Sequence, residues 1–411
     1  MTRIPARQHY DVDIQIEGGE DKLSCFANAF IKFTYRIDPR SKTLKPANAV
    51  PLQNDLKDES LQPRLPPHSD YWPWKTYTDI GINGAAYVAD GASAQQHSVS
   101  AVIGKRRRDI QVFGQRFIEF QRGKPTIGQT QPFTEQPLGL EFAYGGCDFR
   151  VPFDNSDPRA ISVTLDADHP GLYPRNPWGT GYLAMNDPVD GMPLPLLEDP
   201  SDLLTNNRLI ATSPEEWYRQ PMPAHIGWVP VNCFPRNLFI AIECDPWFPP
   251  PDDAQLKEIS LGHLAKGYRN LLANQIFGME PHWRFHQEAV PDFMFKNDVH
   301  GAPVLLKGLH PEYPVIEFSL PQAAPVLKMK IEDIVENVQP FLTSVEITPD
   351  KELVTMTYTA SMNSPRPFIP GIHKKIPVAI SVNDEKAVAY ATPPTLKTLL
   401  SKAKAEKGES Q

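Results

Sequence analysis

The stretch from Tyr173 to Pro200 constrains the fold more than any other part of the chain. It reads YPRNPWGTGYLAMNDPVDGMPLPLLEDP, with proline, glycine, asparagine or aspartate at nearly every second position. Proline fixes φ and lacks a backbone donor, and glycine reaches conformations closed to other residues, so this run predicts an irregular coil. It also carries large apolar side chains, among them Trp178 and Tyr182, whose exposure to water is unfavourable. We therefore predict a long, ordered, packed loop that forms the centre of recognition.

Proline is abundant along the whole chain and not only in this loop. The 411 residues include 44 prolines, spread among apolar runs, whereas average usage is about 5%. That distribution is typical of many short strands joined by stiff turns. We predict a mainly β fold: a large antiparallel sandwich or barrel-like body with one or two helices and long Pro-rich loops.

Several segments carry strand, hairpin or helix signals. Residues Cys25–Asp38 alternate aromatic and β-branched side chains, which predicts a strand pair or one long strand. Residues Ser98–Phe120 predict paired strands that turn near Gly104, and FLTSVEITPDKELVTMTYTA predicts a hairpin around its Thr-Pro-Asp turn. Apolar residues recur at helical spacing only between Leu256 and Ile276, behind two aspartates that favour a helix start.

The chain divides into four predicted parts. Residues 1–24 form an N-terminal segment and residues 25–325 form a β-rich body. Residues 326–396 form a C-terminal hairpin region that is either a separate lobe or part of the same body. Residues 397–411 form a Lys-rich polar tail, which we expect to be solvated.

The charge balance bears on the class of partner. The formal net charge is −8 and the sequence pI is near 5.8, which argues against a dominant basic footprint for nucleic acid or an anionic membrane. The basic run Lys105–Arg108 could touch phosphate, but in an acidic protein we interpret it as a solvated turn or a contact to an acidic partner. We predict no nucleic-acid partner and no membrane partner.

The cysteines and the amino terminus bear on the compartment. Cys25, Cys147, Cys233 and Cys244 lie far apart with no CxxC pair, which favours free buried thiols in a reducing compartment. The first residues, MTRIPARQHYDVDIQIEGGED, contain no apolar core of a signal peptide, and no stretch of about 18 apolar residues occurs. We predict a cytoplasmic location.

Two sequence patterns could indicate a bound cofactor or a bound metal ion, and both match only in part. Gly179, Gly181 and Ala184 match G-x-G-x-x-A, but a dinucleotide fingerprint follows a strand and opens a helix, and prolines flank this one. His282 and His286 have the spacing of two metal ligands, but the glutamate of HExxH and a third ligand are missing. We predict no cofactor and no metal.

Catalytic signatures are also weak. Nucleophile-elbow, phosphate-loop and Cys/His signatures do not occur, so we predict no catalytic residues and no enzyme. A carbohydrate-active or carbohydrate-binding β protein stays open as an alternative, because carboxylates lie among aromatic residues as in glycosidases. The carboxylates are Glu141, Asp187, Asp190, Glu198 and Asp199, and the aromatic residues are Trp178, Tyr182, Trp217 and Trp228.

A series of motifs carries a resemblance to a known family. In chain order they are KTYTDI, VFGQRF, PFTEQPLGLEFAYGG, YPRNPWGTGY, PLPLLEDP and GAPVLLKGLHPEY with EFSLP. Together they resemble a bacterial domain-of-unknown-function family encoded beside type VI secretion effectors and their spike (valine-glycine repeat) proteins. The resemblance spans roughly Phe30 to Pro321 and continues weakly through the TSVEITPDKELVTMTY hairpin.

The resemblance implies a cytoplasmic adaptor or chaperone that binds its cognate secreted effector and helps to load it onto the spike, without being an enzyme. Its most specific residues are our candidates for partner binding or for fold-determining roles: Arg175, Asn176, Pro177, Trp178, Gly179, Gly181, Tyr182, Glu198, Asp199 and Pro200. In the structural reading, Arg175 satisfies buried carbonyls or a carboxylate such as Glu198, and the glycines permit tight turns.

Overall fold

A computed structural model describes residues 9–18, 25–53, 68–72, 75–148, 150, 173, 175–183, 188–209, 220–230, 286–296, 298–364, 376–383 and 385–391. These residues form strands joined by turns and five short 3-10 helices, with no α-helix among them. The strands are β1 Tyr10–Gly18, β2 Cys25–Asp38, β3 Thr43–Pro46, β4 Thr78–Ile82, β5 Ala85–Tyr87, β6 Gln96–Ile103, β7 Arg106–Phe113, β8 Ile118–Gln121, β9 Lys124–Ile127, β10 Glu135–Pro137, β11 Tyr144–Gly145, β12 Thr180–Gly181, β13 Leu197–Glu198, β14 Met294–Phe295, β15 Pro303–Lys307, β16 Val315–Ser319, β17 Leu327–Ile331, β18 Ile334–Val338, β19 Phe341–Thr348, β20 Leu353–Asn363, β21 Ile376–Val382 and β22 Glu385–Ala391. The 3-10 helices are Ala89–Gly91, Leu140–Phe142, Asn206–Arg208, Pro291–Phe293 and Pro349–Lys351.

The strongest strand predictions are confirmed. The segment Cys25–Asp38 is one long strand, β2. Strands β6 and β7 pair from Gln96 to Phe113 and turn at Gly104, whose φ of 58° is a conformation that favours glycine. The Thr-Pro-Asp turn joins β19 to β20, as its sequence indicates. The predicted helix at 256–276 lies outside the described residues.

The largest sheet contains both early and late parts of the chain. Its strand order is β1-β2-β20-β19-β4-β14, with β3 also paired to β2. The β19–β20 hairpin lies between β2 and β4, where β19 runs parallel to β4. Residues 341–363 of the C-terminal hairpin region thus share this sheet with β2.

Two further sheets complete the core. Their orders are β13-β7-β6-β15-β16 and β18-β17-β21-β22, and three two-stranded pairs lie beside them. One apolar cluster draws buried side chains from all three larger sheets, such as Ile31, Val99 and Met329. Each such residue stabilises the fold by about 1.5–3 kcal/mol through burial. None of the sheets in the described residues closes on itself, so the mainly β prediction is confirmed with open sheets and not with a barrel.

The large sheet is buried on both faces, and the two faces differ in chemistry. On β2, Ala29 and Ile31 join the apolar core. Because successive side chains of a strand point to opposite faces, Asn28 and Lys32 point away from that core. Both are nonetheless almost fully buried, so the second face, which also carries Phe30, holds a layer of buried polar groups; we call it the polar face.

The Tyr173–Pro200 loop is irregular where it is described, apart from the two-residue strands β12 and β13. Tyr173, Tyr182 and Leu194 are buried within it. This agrees with the prediction of a long packed loop. No helix of the described residues has the length and apolar character needed to cross a membrane.

Candidate functional site

Four of the sequence motifs meet in one place, which we call the motif cluster: Arg116, Tyr144, Asn176, Thr180 and Glu198. Strand β11, from PFTEQPLGLEFAYGG, pairs in parallel with β12, from YPRNPWGTGY, through Tyr144 and Thr180. Arg116, from VFGQRF, contacts Glu198, from PLPLLEDP. Segments that are dispersed in sequence therefore form one folded unit.

Asn176 fixes the loop to the 140–146 segment. Its buried side-chain amide donates to the carbonyl oxygens of Leu140, at 2.8 Å, and Tyr144, at 3.2 Å. The backbone carbonyl of Asn176 accepts from the Gly146 N–H at 2.9 Å. The backbones approach so closely that a Cβ on Gly179 would lie 2.6 Å from the Ala143 oxygen. Both motif residues thus have direct structural roles.

Glu198 is the carboxylate at the centre of the cluster, and its arginine partner is Arg116. Both side chains are almost wholly buried. The guanidinium also donates to the Pro195 carbonyl at 2.7 Å and lies over the Phe113 ring at 3.9 Å. The second Glu198 oxygen accepts from the Leu204 N–H at 2.8 Å. Burial raises the pKa of Glu198, and the Arg116 charge opposes that rise.

The suggestion that Arg175 pairs with Glu198 is therefore replaced by a pairing with Arg116. Arg175 instead lies beside the Tyr173 phenol. Burial raises the pKa of Tyr173 to about 12, and Arg175 opposes the rise. Spacing along the chain could not distinguish the two arginines, because Arg116 is 82 positions from Glu198.

The other predicted site residues differ in exposure. Pro177 and Trp178 are half-buried, and Tyr182 is buried. Asp199 accepts from the Ser201 N–H at 2.8 Å and so stabilises a turn, and Pro200 is exposed behind it. Gly181 is buried at a φ of 101°, where only glycine fits easily.

Three tyrosines, of which Tyr144 belongs to the motif cluster, are the aromatic members of a second hydrophobic core. Tyr173 packs edge-on against Tyr144 at 5.1 Å and in a tilted arrangement against Tyr182 at 5.2 Å. The hydroxyls of Tyr144 and Tyr173 bond to Gln220 at 2.9 Å and to the Pro221 carbonyl at 3.0 Å. These tyrosines therefore support the cluster from inside.

Large apolar side chains are exposed around this second core. The β8–β9 hairpin lies on the loop, since the Ile118 N–H donates to the Met192 carbonyl at 2.8 Å. The Met222 N–H lies 3.3 Å from the Asp202 carboxylate. We call the exposed set the apolar rim; its members are Phe117, Phe120, Val189, Leu203 and Met222.

A buried ionic network occupies the polar face of the large sheet; its members are Lys32, His68, Asp70, Lys75, Asp79 and Glu288. The Lys32 ammonium bonds Asp70 at 2.8 Å. Lys75 bridges Asp79 at 2.8 Å and Glu288 at 2.9 Å. The sequence contained one signal for it, because Lys75 and Asp79 are both in KTYTDI. In the sequence that motif served only as part of the family resemblance.

Part of this network has the order of a charge relay. The His68 ring places Nε2 3.1 Å from the Ser344 hydroxyl and Nδ1 2.6 Å from the Glu288 carboxylate. This order resembles a nucleophile, base and acid. Ser344 and His68 are both almost fully buried, and the Trp228 indole stacks on His68 at 4.0 Å. Ser344 is therefore shielded from solvent by the side chains packed around it.

A pocket of about 310 Å³ lies beside Trp228. His68, Glu141 and Glu346 also line it, and Glu346 accepts from the Asn83 amide at 2.6 Å. Its volume is at the low end of ligand pockets, which measure about 300–1,000 Å³.

The remaining sequence candidates are accounted for as follows. Arg106 donates to the Met294 carbonyl at 2.5 Å, and Arg108 pairs with Asp292 at 2.7 Å, so these two members of the basic run bind the chain itself. His286 is buried, and His282 lies outside the described residues. The described residues contain no group of three or more His, Cys, Asp or Glu placed to hold a metal. Cys147 is a free, half-buried thiol.

Comparison with known proteins identifies a family. No curated protein and no solved structure matches the chain. Residues 26–359 match the family described as "Uncharacterized protein conserved in bacteria (DUF2169)". That span includes every motif of the resemblance and covers well over half of the sequence, so the chain belongs to this conserved bacterial family.

Proposed function

We propose that this protein is a non-catalytic adaptor of a type VI secretion system, which binds a toxic effector and assists its loading onto the spike protein. The observation that carries the proposal is the apolar rim around the motif cluster. The proposal also rests on the resemblance of the motifs to a family. Members of that family are encoded beside effectors and spikes.

The rim has the features of a protein-binding surface. Phe120 is 44% exposed and Met222 is 48% exposed, and aromatic residues and methionine are enriched in protein interfaces. The side chains project from backbone that is hydrogen-bonded to the buried second core, which limits the entropy lost on binding. In this proposal Trp178 contributes the exposed part of its half-buried indole, while Tyr182 supports the surface from below.

The buried ionic network favours a binding role over catalysis. Its charges are paired with one another beneath the surface. Catalytic groups, in contrast, must reach a substrate and commonly line a cleft.

The direct test is co-purification of the chain with the effector and the spike encoded beside it, followed by a secretion assay in a deletion strain. We expect the effector to be retained by the wild type and its secretion to fail in the deletion strain. The variant Phe120→Asp/Met222→Asp should release the effector, because a protein interface would bury both positions. The control is Val315→Asp, which changes an equally exposed residue on β16, the edge strand opposite β13 in the sheet β13-β7-β6-β15-β16. An effector that is secreted normally without this protein and never co-purifies with it would overturn the proposal.

A carbohydrate-binding role is the second candidate, and the pocket beside Trp228 favours it. An indole with Glu141 and Glu346 at its margins is a combination that sugar sites use. The test is calorimetric titration with a panel of neutral oligosaccharides. Binding that weakens in Glu346→Gln, which keeps an oxygen for Asn83, would support this role. If no sugar in the panel binds, this candidate fails.

A further inference from the structure

Strand β18, Ile334–Val338, is the edge of the sheet β18-β17-β21-β22. It pairs antiparallel with β17 through a two-residue turn, Glu332–Asp333, which joins Ile331 to Ile334. No other strand of the described residues pairs with it. One side of its backbone therefore has no strand partner among the described residues.

The register identifies which backbone groups face outward. In a two-residue hairpin the residues that flank the turn form a hydrogen-bonded pair, and such pairs alternate with non-bonded ones along the ladder. Ile334 and Glu336 therefore bond to β17. The N–H and C=O groups of Val335 and Asn337 point away from the sheet, and within the described residues no backbone partner is found for them.

The side chains leave this edge unprotected. Ile334 is 42% exposed and Val335 is 60% exposed, and both are β-branched residues that pack well against another strand. Edge strands are normally protected by lysine, proline, a bulge or a covering segment. Strand β18 has neither lysine nor proline, and its register with β17 is unbroken.

The charge of the edge restricts what can pair with it. Glu336 is the only charged residue of β18, and Asp333 stands in the adjoining turn. Opposite charges across paired strands are stabilising, and like charges directly opposite are destabilising. A second copy of β18 would set two acidic strands side by side, whereas a strand with lysine or arginine would complement Glu336.

We propose that β18 accepts an extended segment of a partner protein as an added strand, and that this segment alternates β-branched apolar residues with lysine or arginine. Backbone pairing with Val335 and Asn337 would supply affinity, and the charge opposite Glu336 would supply selectivity. The site rests on the proposed protein-binding role and gives the adaptor a surface separate from the apolar rim.

The probe is a capped peptide that alternates valine with lysine, compared with one that alternates valine with glutamate. We expect the wild-type chain to bind the lysine peptide at least about fivefold tighter. Binding should also slow amide hydrogen exchange in the segment 332–338. A peptide result is independent of effector co-purification, so failure of the edge site can be distinguished from failure of the adaptor role.

The variant that isolates the edge is Asn337→Pro. Proline removes the outward N–H and keeps the β17 bonds, since the Asn337 N–H faces away from β17. It should abolish peptide binding. If this variant does not fold, Glu336→Lys carries the test, because reversing the charge should reverse the preference to the glutamate peptide.

Three results would overturn the edge site. One is equal affinity of the wild type for both peptides. Another is a folded Asn337→Pro chain that binds the lysine peptide as tightly as the wild type. The third is a wild-type dimer in sedimentation that Asn337→Pro converts to a monomer, which would make a second copy the occupant.

Discussion

Arg116 and Glu198 form an ion pair across 82 positions of sequence, with only 4% and 1% of their side chains exposed. Arg116 follows the end of β7, and Glu198 lies in β13, which pairs with β7. The pair therefore joins the Pro-rich loop to the sheet β13-β7-β6-β15-β16. It also places the apolar rim on a fixed support, because the Glu198 carboxylate holds the Leu204 N–H next to rim residue Leu203.

Removing one member of this pair should be strongly destabilising. Arg116→Met or Glu198→Leu leaves an uncompensated buried charge, which costs about 3–5 kcal/mol of unfolding free energy. The double variant should lose less than the sum of the single losses, because it leaves neither charge alone. Urea unfolding of the four proteins measures the coupling. Additive losses would mean that the two side chains do not interact.

Asn176→Asp should destabilise the chain by about 3 kcal/mol or more, because a carboxylate would replace the amide that donates to two buried carbonyls. The matched control is Asn206→Asp. There the side-chain oxygen accepts from the Ile127 N–H at 2.9 Å, and a carboxylate accepts equally well. Thermal unfolding compares the two, and a similar melting temperature for both variants would contradict the assigned role of Asn176.

Lys75→Met should also be costly, since it leaves Asp79 and Glu288 buried without the ammonium that bridges them. We expect a loss of about 3–5 kcal/mol in urea unfolding. Lys45→Met is the control, because Lys45 makes an ion pair of similar length with Asp38 but is 64% exposed. Exposed pairs contribute about 0–1 kcal/mol. Comparable losses of unfolding free energy in both variants would show that burial does not determine how much the network contributes to stability.

Local patterns were sufficient to predict the long strand and both major hairpins. These signals lie in adjacent residues: the alternation in Cys25–Asp38, the glycine at position 104 and the Thr-Pro-Asp turn. The fold retains them because burial and turn geometry favour the same local structure. The run LKMKIEDIVENV carries no clear hairpin signal, yet it forms the β17–β18 hairpin. Its alternation is short, and the turn uses Glu332 at a φ of 53°, where glycine or asparagine is the usual signal.

The candidate site was less predictable because its contacts are long-range. The sequence identified the loop and several of its members, but the partner of Glu198 depends on the pairing of β7 with β13. Lys32 and Lys75 gave no sign of burial, because lysine is normally exposed and their carboxylate partners lie elsewhere in the chain. The apolar rim was not foreseen either, since exposure of Phe120 or Met222 depends on how the loop packs.

His225 gives the fold a dependence on pH whose sign is fixed by burial. Desolvation, with a further contribution from the nearby Arg108, lowers the pKa of His225 to about 3 in the folded chain, against about 6.5 when unfolded. Protonation therefore favours the unfolded state. The neutral, buried His225 contributes fully to the stability of the fold above about pH 6.5, and this contribution declines as the pH falls towards 3.

Between about pH 7 and pH 5 the titration of His225 should lower the free energy of unfolding by about 2 kcal/mol. His225→Gln removes the titration, so the difference between the urea unfolding free energies of variant and wild type should shift by that amount over this range. If the two proteins lose stability in parallel as the pH falls, His225 does not titrate as its burial implies.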